Sequence, residues 1–352
     1  MRVEELDTPA LLVDLDRLER NLVRAQAYAD AHGLALRPHV KTHKLPRVAR
    51  RQVELGAVGI TCQKLGEAEA MADGGLGDIL VTFNIVGAPK LARLAALRKR
   101  AEVAVCADDP LVVEGYAGAF RDRARPLPVL VECDTGAGRC GVPSPEGALA
   151  LARAIEAAPG LRFGGLMTYP PRGANRAVGD WLARAVDLLA AVGLPPPAVS
   201  TGGSPGLYGA HEVAAATEHR PGTYVYSDRM QVAWGLGTLD DCALSVLATV
   251  ASRPAPGRAV LDAGSKALAA DLAPVAGHGH VVGHPEAVVA ALFEEHAVVD
   301  VSACGSFPGI GGKVRVIPNH ACVVTNLFDA VHLVSRGEVV ERAAVTSRGR
   351  MT

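Results

Sequence analysis

The feature that most constrains this chain is one unit repeated along its first two thirds. Each unit is a short run of β-forming residues, a turn marked by glycine or polar residues, then an Ala/Leu/Arg-rich stretch with apolar residues at helical spacing. The β-type runs are Leu34–Lys41, Ala57–Gln63, Asp78–Asn84, Glu102–Ala107, Leu127–Asp134, Leu161–Tyr169, Ala198–Gly202 and Thr217–Tyr226. Helical patterns between them include Leu45–Leu55, Leu65–Asp73, Pro89–Arg98, Pro145–Ala157 and Asp180–Ala191. Strands alternating with helices predict an α/β fold with a parallel sheet, and eight units in about 200 residues fit a closed (β/α)8 barrel of the TIM type. An open doubly wound sheet is the rival; the lack of a glycine-rich dinucleotide fingerprint after an early strand weighs against it. Beyond Trp234 the texture changes. Leu244–Ser252, Arg258–Asp262, Ala297–Val301, Lys313–Ile317, Ala321–Asn326 and Ala330–Val334 are short β-type runs separated by Gly, Pro, Asn and Asp. The expected division is therefore a barrel over residues 10–233 and a β-rich domain over 234–352. Residues 1–9 are free to join the latter, and Leu11–Asp14 offers it an extra strand before a helix over Leu15–His32.

Composition narrows the partners. With 49% hydrophobic residues among 352, the chain can fill one large core and a smaller one. The formal net charge is -1 and no block of like charge stands out, which argues against nucleic acid as a partner. Glu4, Glu5 and Asp7 stand where a signal peptide needs a basic patch and an apolar run, and no stretch of about 18 apolar residues offers a membrane span. Seven scattered cysteines without a CxxC pair read as reduced thiols, so a cytoplasmic location is expected.

In a parallel barrel, chemistry collects where strands end and βα loops begin. The first strand ends in Arg37-Pro38-His39-Val40-Lys41-Thr42-His43-Lys44. Lys41 alternates with Val40 and is expected to point into the barrel; a desolvated lysine, or one near other cations, becomes a usable amine nucleophile. A solvated basic turn is the plain alternative. The fifth strand runs into Asp134-Thr135-Gly136-Ala137-Gly138-Arg139-Cys140-Gly141, where glycines let backbone approach a ligand and Arg139 can meet an anionic oxygen. The seventh gives Ser200-Thr201-Gly202-Gly203-Ser204, at the barrel position where phosphates are often held, and the eighth gives Arg220-Pro221-Gly222-Thr223. Each loop is a weak signal alone; together with a lysine they converge on an anionic cofactor.

Lys41, the Asp134-to-Arg139 loop and Arg220-Pro221-Gly222 resemble the marks of the alanine-racemase-like, fold-type III pyridoxal phosphate enzymes. The finer spelling is similar to the branch containing D-threonine aldolase and eukaryotic-type D-serine dehydratase. It lies in Asp7-Thr8-Pro9-Ala10, Arg37 to Lys44, Gly222-Thr223-Tyr224, Asp262-Ala263-Gly264-Ser265-Lys266, Glu294-Glu295-His296 and Pro318-Asn319-His320-Ala321-Cys322. The resemblance implies that Lys41 carries pyridoxal 5'-phosphate as a Schiff base and that Arg139 meets the cofactor's phenolic oxygen. It implies further that Thr201, Gly202, Gly203, Gly222 and Thr223 cradle the phosphate, that Arg220 faces the pyridine nitrogen and that Tyr169 contacts the ring. His320 and Cys322 correspond to a divalent-metal pair, Zn2+ or Mn2+, with a thiolate favouring zinc. On a strand, residues i and i+2 share a face, so the imidazole of His320 and the thiolate of Cys322 could hold one ion.

The implied reaction is lysis of a small D-β-hydroxy-α-amino acid, with retro-aldol cleavage as in D-threonine aldolase preferred. Dehydration of D-serine or D-3-hydroxyaspartate to a 2-oxo acid and ammonia is the alternative. His39, His43 and His296 are the candidate bases besides Lys41. A metal-free racemase and a non-catalytic cofactor carrier are rivals; the first would need a tyrosine base, the second would usually lack the β-rich domain. Relatives imply a homodimer. His32, His211 and His332 are expected to be surface or core residues without a catalytic part, while His278-Gly279-His280 with His284 could bind metal on spacing alone or form a mobile loop near the site.

Overall fold

Along the strands of the first two thirds, side chains alternate between two environments, and the fold follows from that period of two. In the computed structural model, which describes all 352 residues, Ile79, Val81, Val103, Val105, Val129 and Val131 pack outward in the large core with helix residues such as Leu94, Leu151, Ile155 and Leu182. Leu80, Cys106, Leu130 and Met167, the residues in between, form a separate cluster with Ala104. A strand apolar on both faces is the signature of a parallel sheet buried on both sides.

The first strand, β1 (Ala10–Asp14), is followed by the helix α1 (Leu15–Ala31). Eight parallel strands come next: β2 (Ala35–Leu36), β3 (Ile60–Cys62), β4 (Asp78–Val81), β5 (Glu102–Ala107), β6 (Leu127–Cys133), β7 (Leu161–Thr168), β8 (Val199–Thr201) and β9 (Glu218–His219). Helices α2 (Pro46–Glu54), α3 (Leu65–Asp73), α4 (Ala88–Leu97), α5 (Pro110–Ala119), α6 (Pro145–Ala157) and α7 (Asn175–Ala190) connect β2 to β8 in turn. Sheet order runs β2-β9-β8-β7-β6-β5-β4-β3, and a parallel bridge between His39 and Thr61 joins the two ends. This is the expected TIM-like barrel.

Two of its strands are shorter than the β-type runs that announce them, and proline is the reason. Pro38 ends β2 after two residues because it has no N–H to give a ladder, and Pro221 does the same after β9. Pairing nevertheless resumes: Thr61 donates its N–H to Pro38 O at 2.8 Å, and Val40 donates to Thr61 O at 2.9 Å.

The barrel interior is polar along one file. Arg37 donates to Asp78 and, at 2.7 Å, to Glu218; Ser200 Oγ donates to the other Glu218 oxygen and accepts Arg220 Nε at 2.7 Å; Arg220 also reaches Thr168 O at 2.6 Å. Buried charges survive only when paired and hydrogen-bonded in this way.

The remaining strands form a second, mostly antiparallel sheet. After α8 (Arg229–Ala233) come β10 (Leu244–Ala255), β11 (Arg258–Leu261), α9 (Ser265–Leu268), β12 (Gly279–Val281), β13 (Val288–Leu292), β14 (Ala297–Asp300) and β15 (Lys313–Pro318). The chain ends with α10 (Ala321–Thr325), β16 (Ala330–Ser335) and β17 (Glu338–Ala344). The order is β11-β14-β13-β12-β15-β10-β1-β16-β17, and β10 also pairs with β11, so six strands close into a small barrel. The chain divides into two compact units: Met1–Arg24, Thr42–Lys44 and Thr223–Gly349 form one, Ala25–Lys41, Leu45–Gly222 and Arg350–Thr352 the other. No helix is long and apolar enough to cross a membrane.

One expected strand is a helix. Ala321–Asn326 reads as β because of Val323, Val324 and Thr325, yet it forms the short helix α10. Tertiary context overrides the propensity of β-branched residues: the buried Asp228 carboxylate accepts the Ala321 N–H at 3.0 Å, and Thr325 Oγ1 donates back to Ala321 O at 3.0 Å. Three strands, β12, β13 and β17, are absent from the sequence reading.

His219 makes the barrel sensitive to acid. It points outward from β9, 1% exposed, and burial first, then Arg220, pulls its pKa down from 6.5 to about 4. A base whose folded pKa is depressed stabilises the fold fully above its unfolded pKa and loses that contribution as pH falls towards the folded value. The expected outcome is a stability decline between pH 6.5 and 4 of up to about 1.4 kcal/mol per pH unit from this group alone. Urea midpoints at pH 7 and 5 check it: His219→Phe should show a smaller drop than the parent, and equal drops would contradict it.

Candidate active site

The barrel's βα loops carry the sequence-predicted cofactor residues. After β6, the Asp134 carboxylate accepts the amides of Gly136 and Gly138 at 2.9 and 3.1 Å, winding the loop that presents Arg139. Arg139 is exposed, and its guanidinium lies 4.4 Å from the centroid of the Tyr169 ring at the end of β7. The same ring backs the loop after β8. A Cβ on Gly203 would stand 2.6 Å from Tyr169 Cε2, and its φ of +141° is one that side-chain-bearing residues rarely adopt. A Cβ on Gly202 would meet the Arg220 backbone at 2.7 Å. These glycines keep a strip of backbone bare beside an aromatic face. Ser204, buried in the same turn, accepts the Gly222 N–H at 3.4 Å, while Thr201 O takes the Arg220 N–H at 2.9 Å. Arg139, Tyr169, Thr201, Gly202, Gly203, Arg220 and Gly222 are thus gathered on neighbouring loops of one unit.

Arg220 itself is 6% exposed, its fork held by Ser200 and Thr168. Glu132 lies near it; burial raises that carboxyl's pKa and the Arg220 charge pulls it back. Lys41 is half-buried, and its N–H donates to His39 Nδ1 at 3.3 Å. Val40 is fully buried in the large core.

The second unit holds the other candidates. His320 caps α10 and Cys322 lies in its first turn, so their proximity comes from a helix start and not from a shared strand face. His320 Nδ1 is hydrogen-bonded to Asp271, and the hydrogen bond to Cys322, followed by Asp271, raises the imidazole pKa to about 9. Asn319 holds the Asp271 loop by donating to Asp271 O and Gly277 O at 2.9 and 3.0 Å, and Arg229 Nη1 clamps Asn319 Oδ1 at 2.7 Å. The hydroxyls of Thr42 and Thr223, the residues that follow Lys41 and Gly222 in the chain, lie 3.2 and 3.5 Å from Cys322 Sγ. His43 is fully buried in the turn after Lys41. His296 is exposed on the turn between β13 and β14, and no hydrogen bond ties it to His320 or Cys322.

Chemically, the bare backbone of Gly202 and Gly203 suits a phosphate, and an amine at the strand end suits an aldehyde cofactor. An imidazole turned by a carboxylate, beside a thiol flanked by two hydroxyls, suits a borderline-soft divalent ion with open positions. No third His, Cys, Asp or Glu completes a ligand set. Sequence reasoning missed Asp271, which no spacing links to His320, and Gln63, whose carboxamide meets His39 Nε2 at 3.1 Å.

Comparison with known proteins places this arrangement. The alanine racemase N-terminal domain family matches residues 13–230, and the serine dehydratase domain family matches residues 243–334. The chain is 36% identical to a D-threonine aldolase of Arthrobacter over 98% of its own length and 93% of the relative's. It is 34% identical to a D-threo-3-hydroxyaspartate dehydratase of Delftia over 92% and 93%. Among solved structures, the D-threonine aldolase of Filomicrobium marinum superposes with a TM-score of 0.91 at 33% identity, covering 100% of this chain and 98% of that one. A D-threo-3-hydroxyaspartate dehydratase with a cysteine replaced by alanine, in a metal-free form, superposes with 0.86 at 31% identity and 98% coverage of each chain. The fold and these matches define an alanine-racemase-like barrel enzyme of the fold-type III pyridoxal phosphate class. Within it, the chain belongs to the D-threonine aldolase and D-serine dehydratase-like branch, whose named members are carbon lyases.

Gly203→Ala tests the cradle. The added methyl and the φ of +141° force the loop off the Tyr169 ring, so cofactor affinity should fall at least about tenfold, the effect of roughly 1.4 kcal/mol. Titration of the cofactor into the apo-protein, followed by absorbance, checks it; unchanged affinity would remove this loop from the site.

Proposed function

We propose that this chain is a pyridoxal phosphate- and divalent-metal-dependent lyase of D-β-hydroxy-α-amino acids, with retro-aldol cleavage of D-threonine to glycine and acetaldehyde as its reaction. The observation that carries the reading is the Asp271–His320–Cys322 cluster, on a chain matching a D-threonine aldolase over nearly its whole length. When bound, the cofactor supplies an electron sink at Cα, and the ion a Lewis acid for the hydroxyl oxygen.

The chain's own residues do the rest. The Lys41 amine holds the cofactor aldehyde, Arg139 takes its phenolic oxygen, and the Gly202–Gly203 backbone with Gly222 and Thr223 takes its phosphate. Cys322 and His320 hold the ion. Asp271 accepts the proton on His320 Nδ1, which fixes the tautomer and leaves Nε2 as the ligating nitrogen. Thr42 and Thr223 follow Lys41 and Gly222 in the chain, and both threonine hydroxyls lie on Cys322 Sγ. A base that takes the hydroxyl proton would let Cα–Cβ break and release the aldehyde, and return of a proton to Cα would leave glycine. In the alternative, the Lys41 amine, free once the substrate amine has taken its place, would remove the α-proton; the hydroxyl would leave as water, and hydrolysis would give the 2-oxo acid and ammonia. That second reading is favoured by the His-x-Cys pair and by the likeness to the Delftia dehydratase.

Product assays separate the two. D-threonine should yield acetaldehyde and glycine in equal amounts; pyruvate and ammonia from D-serine, with no aldehyde from D-threonine, would establish the dehydratase instead. Chelation should abolish either activity, with zinc or manganese restoring it. Asp271→Ala should weaken metal binding about 10–100-fold, read by competition with a chromogenic chelator; unchanged metal affinity would separate Asp271 from the ion.

A further inference from the structure

Three consecutive amides lead to Lys41, and each is satisfied differently. His39 N–H donates to Pro221 O at 2.9 Å on one side of the closing seam, and Val40 N–H to Thr61 O at 2.9 Å on the other. Lys41 N–H turns to a side chain, His39 Nδ1, at 3.3 Å. A buried amide needs a partner, and after Pro38 interrupts the strand, the ring two residues back provides it.

The direction of every bond in this chain of contacts is forced. A backbone N–H can only donate, so His39 Nδ1 is the unprotonated acceptor. In the neutral ring the proton is then on Nε2, which faces Gln63 Oε1 at 3.1 Å. The carboxamide cannot be reversed, because Gln63 Nε2 lies 3.1 Å from Thr82 O, and a carbonyl only accepts. Gln63 is anchored in turn, its own N–H donating to the Glu67 carboxylate at 2.8 Å at the start of α3. His39 is 6% exposed and sits with both ring nitrogens engaged.

We infer that His39 is a positioning residue for Lys41 and not the general base: held by Gln63 as its Nε2–H tautomer, it spends its one lone pair on the lysine's backbone amide. This rests on the reading of Lys41 as the cofactor lysine and removes one of the histidines that the sequence offers as a base.

The test uses the holoenzyme with His39→Asn, His39→Ala and Gln63→Leu. Asparagine can accept from the Lys41 amide through Oδ1, so His39→Asn should stay within about tenfold of the parent in kcat/KM, whereas His39→Ala should lose about a hundredfold through misplacement of the lysine. Both limbs of the pH profile should be retained in His39→Asn. The fraction of cofactor fixed by borohydride should fall in His39→Ala and in Gln63→Leu, and nitrogen NMR should show the His39 ring protonated on Nε2 at neutral pH. A base would behave otherwise. Both His39 variants would then lose about 10²–10⁴-fold together with one limb of the pH profile, at undiminished fixation, and that result overturns the inference. An Nδ1-protonated ring or an imidazolium at neutral pH overturns it as well. Failure of the parent enzyme to fix cofactor, or undiminished fixation in Lys41→Ala, would instead sink the reading of Lys41, so the two failures are told apart.

Discussion

Closing a parallel sheet of eight short strands removes its open edges, and here closure falls on Thr61. Its N–H and C=O bind Pro38 O and Val40 N–H, stitching the last strand in the sheet order to a first strand that a proline has broken. The same seam delivers Lys41. The backbone is paired through Val40, and the Lys41 N–H then turns to His39 Nδ1. The closure of the fold and the backbone position of Lys41 are one constraint.

Above that seam the chain uses small residues and backbone, and below it charge. The upper loops bring Gly202, Gly203 and Gly222 to an anion-friendly surface beside Tyr169 and Arg139. The interior below carries Asp78, Arg37, Glu218, Ser200 and Arg220 in succession. The His320–Cys322 pair follows a different logic. His320 and Cys322 are brought together by a helix start that Asp228 nucleates, and Asp271 reaches the imidazole from a loop clasped by Asn319 and Arg229.

The barrel was legible because its strands are buried on both faces and its helices amphipathic, so hydrophobic period alone separates them; β5, α3 and α6 fall at the residues that pattern marks. What escaped has physical causes. Val323-Val324-Thr325 carries a β propensity that a buried carboxylate 93 residues away overrides. The strands β12 and β17 carry glycine or charge in place of an apolar run. Motif spelling pointed to His320 and Cys322, but the side chain that orients the imidazole lies 49 positions earlier in a loop without pattern. His39 was visible as a histidine beside a lysine; that its lone pair is occupied is a matter of three-dimensional hydrogen-bond direction, which no spacing encodes.

The polar file through the barrel has an implication for how such a chain can change. Each member holds the next, so deleting Glu218 would leave Arg37 with Asp78 alone and take the acceptor from Ser200 Oγ, while deleting Ser200 would remove the partner of Arg220 Nε. Substitutions here are not independent, and paths between related sequences must pass through compensated pairs. Single substitutions are therefore costlier in this floor than in the loops above it.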